Sequence, residues 1–170
     1  MLMRRRAIQP KIKVDPTSTD RVVDLAALGG IIYGIAIVLL NWNQIPNRVP
    51  RHFDFWGRPD AWGAKTNIMY TLGFMVSLYV ILTVLNHFPH LFNYLVIITE
   101  ENAPRQYAIA TSAIRWFKLE LVWFFAYLLW TSINISYGRS TRLDPWSVAI
   151  FFGAIVVTEI VLFVKSRRAR

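Results

Sequence analysis

Four long apolar stretches, at 22–42, 68–88, 114–135 and 146–164, constrain this chain more than any other feature. A helix needs roughly 20 residues to cross a hydrocarbon layer about 30 Å thick. The chain is 55% hydrophobic with a mean hydropathy of +0.36, which exceeds what a soluble domain of 170 residues needs for its core. The sequence therefore predicts an all-α, integral membrane protein with four transmembrane helices and a conformationally fixed loop between the first two.

Two other interpretations of these stretches fit less well. Four core helices of a soluble protein would need polar faces to meet water, and these stretches have almost none. The first stretch could be a secretory signal, but it begins only at Val22 and is followed by Asn-Trp-Asn-Gln rather than by small residues. That pattern favours a retained signal anchor.

Basic residues predict the orientation of the chain. Of the 19 Lys and Arg, thirteen lie before the first span, around the second connection or at the C-terminus, and six lie in the first and third connections. By the positive-inside tendency, both termini are cytoplasmic in a bacterial inner (plasma) membrane. We expect a mobile basic tail at 1–17, one transmembrane domain at 18–164 and a second basic tail at 165–170.

The same distribution and the absence of cysteine exclude several functions. The net charge of +9 comes largely from residues that flank membrane spans, so we expect the lipid bilayer and no nucleic acid as a partner. Without cysteine, disulfides, thiolate catalysis and Cys-based zinc sites are excluded. No Ser-His-Asp order, Gly-rich phosphate loop or HExxH pattern is present. We expect a protein that is not an enzyme and has neither cofactor nor metal.

The first predicted helix carries two local signals. Thr17 can cap it with Asp20 three residues later, in the spacing of a capping box. Ala26, Gly30 and Gly34 recur every four residues, so they predict a helix-packing face of small residues that lets a neighbouring helix approach closely.

Charged residues inside the last two spans are a second candidate site. Glu120 and Glu159 are predicted at similar depth, near Arg115 and Lys118. An unpaired carboxylate in lipid is costly, so we expect Arg115 or Lys118 to pair with Glu159 across the helix interface. A proton or ion pathway through the two glutamates is the alternative.

Two further patterns are open to more than one interpretation. The apolar segment Leu91 to Ile98 is too short to cross a membrane, which leaves a re-entrant segment, an interfacial segment or a strand. Trp116, Trp123 and Trp130 repeat every seven residues and so share one helix face, which is typical of packing or lipid contact.

The connection between the first two spans, residues 46–65, is the most distinctive polar segment. In an extended chain His52 and Asp54 would face the same way, and Asp60 and Lys65 could fold back toward them. The candidate recognition or structural residues are Pro46, Pro50, His52, Phe53, Asp54, Gly57, Asp60, Trp62 and Lys65.

Three roles fit this motif. It can be a structural knot in which side chains satisfy the backbone of a turn. It can recognise an outside partner through exposed aromatic and charged groups. A metal or catalytic site is the third role, although a single histidine supplies few strong ligands.

The motif also resembles a known family. Pro46, Val49, Pro50, His52, Phe53, Asp54, Gly57, Asp60, Trp62 and Lys65 match the signature of a bacterial integral-membrane family, domain of unknown function 1648. Residues 92–94, 98–102 and 105–107 are similar to the segment after the second span in longer members. A related domain occurs in immunity proteins against the SdpC-type secreted toxin, so the resemblance implies envelope self-protection.

The preferred hypothesis is a non-enzymatic membrane protein whose outer motif serves envelope-level recognition, with toxin immunity as one form of it. A small accessory or structural subunit of a larger membrane complex is one alternative, supported by the tryptophan stripe and the small-residue face. A small proton- or ion-coupled transporter using Glu120 and Glu159 is another. The first two hypotheses imply another membrane or envelope protein as partner.

Overall fold

The computed structural model describes residues 9–169, and its elements are mostly helical. The helices are α1 (Ser18–Asn41), α2 (Thr66–Leu85), α3 (Ala103–Ser136) and α4 (Pro145–Arg168). All four are long and apolar enough to cross a membrane. Each predicted span overlaps one of them, although the first two run one and three residues past the ends of α1 and α2, and α3 begins eleven residues before its predicted span, at Ala103. The chain is a multi-pass membrane protein by helix length and composition.

The fold is not all-α as predicted, because the connection between α1 and α2 forms a small sheet. Strands β1 (Arg48–Phe53) and β2 (Pro59–Ala64) pair antiparallel as a hairpin. The register runs from Arg48 opposite Ala64 to Phe53 opposite Pro59, with irregularities on either side of His52. Prolines and glycines hid this hairpin from the sequence pattern, since both are depleted in strands.

Contacts between the helices define two ends of the bundle. Asp24 of α1 meets Lys118 of α3, and Asn41 meets Tyr137, so α1 and α3 run in parallel. Helix α4 runs antiparallel to α3, since Ser166 bonds Gln106 and Thr158 bonds Glu120. Helix α2 is likewise antiparallel to α1. The N-terminus of α1 and the C-terminus of α4 therefore lie at one end, here called the terminal end. The other is the hairpin end.

Helix α3 is the centre of the bundle, because α1, α2 and α4 all pack on it. Close packing is set by two glycines of α1. A Cβ on Gly30 would lie 2.7 Å from Val122 Cγ1, and one on Gly34 would lie 2.5 Å from Met75 Cε. The buried core comprises Ile31, Val38, Ile45, Val49, Ile68, Met75, Val122, Ala126, Leu129 and Ile133.

The predicted small-residue face is shifted by one position at its start. Ala26 is exposed, and the buried stripe of α1 passes through Ala27 instead. The Ala26 carbonyl still accepts a hydrogen bond of 3.1 Å from the Trp123 indole N–H. Trp123 covers the α1 surface beside Gly30, so the contact combines a small residue on one helix with a large one on the other.

Two irregular segments cover the terminal end. Residues 9–17 form no regular secondary structure up to the Thr17 cap, where the predicted capping box with Asp20 is present. The Tyr107 hydroxyl donates to the Pro10 carbonyl at 2.9 Å, which ties this part of the predicted tail to α3. Residues 1–8 lie outside the described part of the chain.

The segment Leu91 to Ile98 forms no strand. Its first residue ends a short 3₁₀ turn, Pro89–Leu91, and the chain then runs irregularly toward α3. Alternate side chains point inward, with Tyr94 stacked on Tyr107 at 5.5 Å between ring centroids. Burial, with a smaller contribution from nearby Tyr107, raises the pKa of Tyr94. Its hydroxyl thus stays a donor, and it bonds the Pro89 carbonyl at 3.0 Å.

Candidate functional site

A tight turn built on Asp54 forms the tip of the hairpin. Asp54 Oδ1 accepts hydrogen bonds from the backbone N–H groups of Trp56 and Arg58, at 2.9 and 2.8 Å. The backbone adds an Asp54 N–H bond to the Arg58 carbonyl and a Gly57 N–H bond back to Asp54. Because one carboxylate satisfies two turn amides, the tip has a defined conformation.

His52 pairs with Asp60 across the two strands rather than with Asp54. The His52 Nδ1 and Asp60 Oδ1 atoms lie 2.7 Å apart, and both side chains are largely exposed. The predicted return of Asp60 toward His52 therefore occurs, while Asp54 serves the turn. No group of three or more metal-binding side chains occurs within residues 9–169.

Gly57 connects the hairpin to the loop between α3 and α4. Its φ is +76°, a conformation that favours glycine, and a Cβ there would overlap the Leu143 carbonyl oxygen. The Leu143 N–H donates to the Gly57 carbonyl at 2.8 Å. The backbones of the two loops are thus in direct contact, so the hairpin is held at both its base and its tip.

Two aromatic side chains project from the turn. Phe55 is 90% exposed and Trp56 is 62% exposed, and their rings pack edge to face at 5.3 Å. Leaving such large apolar groups uncovered costs hydrophobic free energy that folding normally recovers. Their exposure on a fixed turn is typical of anchor residues at a binding surface.

The remaining motif residues support the hairpin base. Lys65 lies over the Trp42 ring, with its Nζ 4.7 Å from the ring centroid, and donates to the Trp42 carbonyl. Arg48 lies over Trp62 at 5.8 Å. Pro50 is buried, while Pro46 is exposed in the segment before β1.

A cavity of about 340 Å³ lies between β1 and the helices α2 and α3. Phe53 and His52 line one side, and Tyr70 and Ser132 line the other. The hairpin therefore presents two different surfaces: an exposed aromatic tip and a cleft beside β1 that polar and apolar side chains line together.

The charged residues of α3 do not make the predicted pair with Glu159; they pair with Asp24. The Arg115 Nε lies 3.1 Å from Asp24 Oδ2, and the Lys118 Nζ lies 2.8 Å from Asp24 Oδ1. Lys118 also donates to the Thr83 hydroxyl at 3.1 Å. Spacing along α3 and α4 gives no sign of this pairing, because Asp24 lies on α1, which runs parallel to α3 and brings it to the same level.

Glu120 instead meets α4. Its Oε1 accepts a 2.8 Å hydrogen bond from the Thr158 hydroxyl, beside Glu159 in sequence. The other oxygen, Oε2, is buried without a hydrogen-bond partner in the described chain. The structure thus groups Glu120 with the α4 residues and separates it from the Asp24 cluster.

Sequence reasoning also overlooked Phe55 and Leu143. Phe55 occupies a variable position of the family signature, so the resemblance did not single it out. A signal for its role was nevertheless present, since Phe-Trp directly before a glycine in a polar connection places apolar groups at a turn. The contact of Leu143 with Gly57 joins residues far apart in sequence and leaves no local pattern.

One comparison with known proteins gives a match that includes the hairpin. No curated protein and no solved structure matches the chain. Residues 29–76, which run from within α1 through the whole hairpin and into α2, match the family described as Domain of unknown function (DUF1648).

Proposed function

We propose that this chain is a bacterial inner-membrane protein, with both termini in the cytoplasm, whose hairpin recognises another envelope protein. The observation that carries the proposal is the exposed Phe55–Trp56 pair on a turn fixed by Asp54 and Gly57. Preorganised aromatic anchors bind at low entropic cost, because the turn is already ordered before a partner arrives.

Toxin immunity is the form of recognition that the family resemblance favours. A hairpin facing the outside would meet a secreted toxin before it reaches the lipid. The recognition would be non-enzymatic, since the His52–Asp60 pair and the Asp54 turn have structural roles that account for their geometry.

The test is co-purification in mild detergent with mass spectrometry, using tagged wild type and the double variant F55S/W56S. A matched control is T66S, which changes an exposed position at the base of the hairpin and keeps both aromatics. The proposal expects a near-stoichiometric envelope protein with wild type and control, and its loss from the double variant at equal membrane levels. Absence of any such protein from the wild type would contradict it.

A second candidate function is that of an accessory subunit, which α4 favours. Only 6% of its apolar window is buried within the chain, and its large side chains Ile150, Val157 and Ile160 are uncovered. Lipid or a neighbouring helix can cover this face. A partner that stays bound to F55S/W56S but leaves when Ile150 and Val157 are replaced by tryptophan would favour the subunit function over hairpin recognition.

A further inference from the structure

A cavity of about 310 Å³ lies at the terminal end, far from the hairpin. Helices α1, α2 and α3 form its walls and residues 12–16 of the N-terminal segment cover it. The polar side chains that matter for its chemistry are Asp24, Asn86, Arg115 and Lys118.

The cavity contains more positive than negative charge. Arg115 and Lys118 are 9% and 2% exposed, and both use the single carboxylate of Asp24. The other two charged residues of the wall, Lys13 and Asp15, pair with each other and face solvent. The residues that line the cavity therefore include two buried cations and one partly buried carboxylate.

One more buried carboxylate, Asp20, contributes negative charge near Arg115 from outside the cavity lining. It does not use the donors that Arg115 presents to the cavity. Its Oδ2 accepts from both the N–H and the hydroxyl of Thr17, so it is committed to the cap of α1.

Hydrogen-bonding capacity remains unused on the cavity wall. Within residues 9–169, Arg115 donates only through Nε, so its two terminal nitrogens keep their donors. Asn86 Oδ1 is buried and has no partner in the same part of the chain. Lys118, in contrast, is engaged by Asp24, Thr83 and the Tyr79 ring at 4.9 Å. Arg115 therefore offers the planar donor pair that fits two oxygens of one anion.

The level of this cluster in the bundle indicates the source of such an anion. At 1.5 Å per residue, Asp24, Thr83 and Lys118 each lie about 25 to 27 Å from the hairpin end of their helices. A hydrocarbon core is about 30 Å thick, so a bundle anchored at that end places the cavity close to the headgroups of the opposite leaflet. Basic pockets between helices at this level bind lipid headgroups.

We propose that this cavity binds a phosphate group, with Arg115 as the main donor and Lys118 supplying charge. The phosphate belongs to a phospholipid headgroup or to a free phosphate ion. This site is independent of hairpin recognition, since it lies at the opposite end of the bundle.

Thermal unfolding of the full-length protein in a maltoside detergent tests the site, with tryptophan fluorescence as the signal. One arm compares sodium phosphate with sodium chloride at equal ionic strength. The other compares short-chain phosphatidic acid with the corresponding diacylglycerol, which lacks phosphate. At a concentration of tenfold Kd, we expect a rise in Tm of about 3 to 5 °C. A rise in both arms assigns free phosphate as a ligand, and a rise with phosphatidic acid alone assigns the headgroup. No rise in either arm overturns the proposal.

Three variants separate the site from general effects. R115Q should lose the rise, whereas R139Q removes the same charge from an exposed position at the hairpin end and should keep it. V14W retains all charges and places a larger side chain in the cavity, so it should also lose the rise. If R115Q does not fold, V14W still tests whether phosphate binds in this cavity. A full rise in V14W, or in a folded R115Q, overturns the proposal.

Discussion

At the scale of single residues, Asp24 joins the buried charges of α3 to α1. It is the common acceptor for two cations that are buried on α3. Taking a charge out of water is expensive unless a counter-charge is close, so the ion triad is a requirement of the bundle. Asp24 lies more than 90 positions from Arg115 and Lys118 in the sequence, so spacing rules that apply within one helix cannot predict their pairing.

Replacing Asp24 with asparagine should lower the free energy of unfolding by about 2 to 4 kcal/mol, because Lys118 and Arg115 keep their charges and lose their carboxylate. The midpoint of unfolding in detergent measures this effect. Asp15→Asn is the control, since that pair with Lys13 is exposed and should contribute about 0 to 1 kcal/mol. Equal losses in the two variants would contradict the role of the triad.

At the scale of elements, the hairpin depends on a contact outside itself. Gly57 needs a positive φ for the turn and also lacks the Cβ that would collide with Leu143. Gly138, in the loop after α3, has a similar φ of +70° but nothing within 4 Å of its Cβ position. Comparing substitutions at the two glycines therefore distinguishes the free-energy cost of backbone strain from that of steric overlap.

Gly138→Ala should cost about 1 kcal/mol from backbone strain alone, and Gly57→Ala should cost about 1 to 3 kcal/mol more, since the Leu143 contact must also open. Comparing unfolding midpoints of the two variants gives the difference. Proteolysis of the hairpin should accelerate only in Gly57→Ala. Indistinguishable midpoints would show that the loops do not depend on this contact.

The start of α4 has a pH-dependent cap. Hydrogen bonds from the Ser147 hydroxyl and N–H hold the pKa of Asp144 below its ordinary value of 3.8. The folded-state pKa is the lower one, so the cap stabilises α4 above the unfolded pKa and is lost as pH falls through the folded value. Hydrogen exchange at the Ser147 amide, corrected for intrinsic rates, should show protection that falls below pH 4.

Asp144→Asn is the matched control for this cap. Asparagine caps helices about as well as aspartate and does not titrate. Protection of the Ser147 amide in Asp144→Asn should therefore be independent of pH over the same interval. An equal decline in both proteins would assign the effect to another group.

At the scale of the whole molecule, the parallel arrangement of α1 and α3 places both described ends of the chain on the same side. Four helices that alternate in direction bring the chain back to the side where it began. The contacts of Asp24 and Asn41 with α3 show that α1 and α3 run in the same direction. The excess of basic residues at the terminal end then predicts that this end faces the cytoplasm.

Single cysteines test this orientation, since the chain has none of its own. Phe55→Cys and Ser140→Cys at the hairpin end should react with a membrane-impermeant thiol reagent added to cells whose outer layers admit it. Glu100→Cys at the terminal end should react only after the inner membrane is opened. The reverse pattern would invert the orientation, and reaction of all three in intact cells would contradict a four-span arrangement.

The sequence predicts those structural features of this protein that depend only on residues close together in the chain. Four helices follow from apolar length, and the α1 cap follows from Thr17 and Asp20, because each needs only neighbouring residues. The signature at residues 46–65 placed the candidate site, and the family match covers it. It did not predict the strands, since strand pairing depends on the partner strand.

Apolar length is enough to indicate four helices that can cross a membrane, because transfer of long apolar runs into lipid outweighs other terms, and composition locates the distinctive polar segment between the first two. Which charges meet depends instead on how the helices pack. Asp24 rather than Glu159 pairs with Arg115 and Lys118, and Gly57 meets Leu143, because helix packing brings distant residues to one level of the bundle. Such choices depend on which helices become neighbours, and no local spacing encodes that.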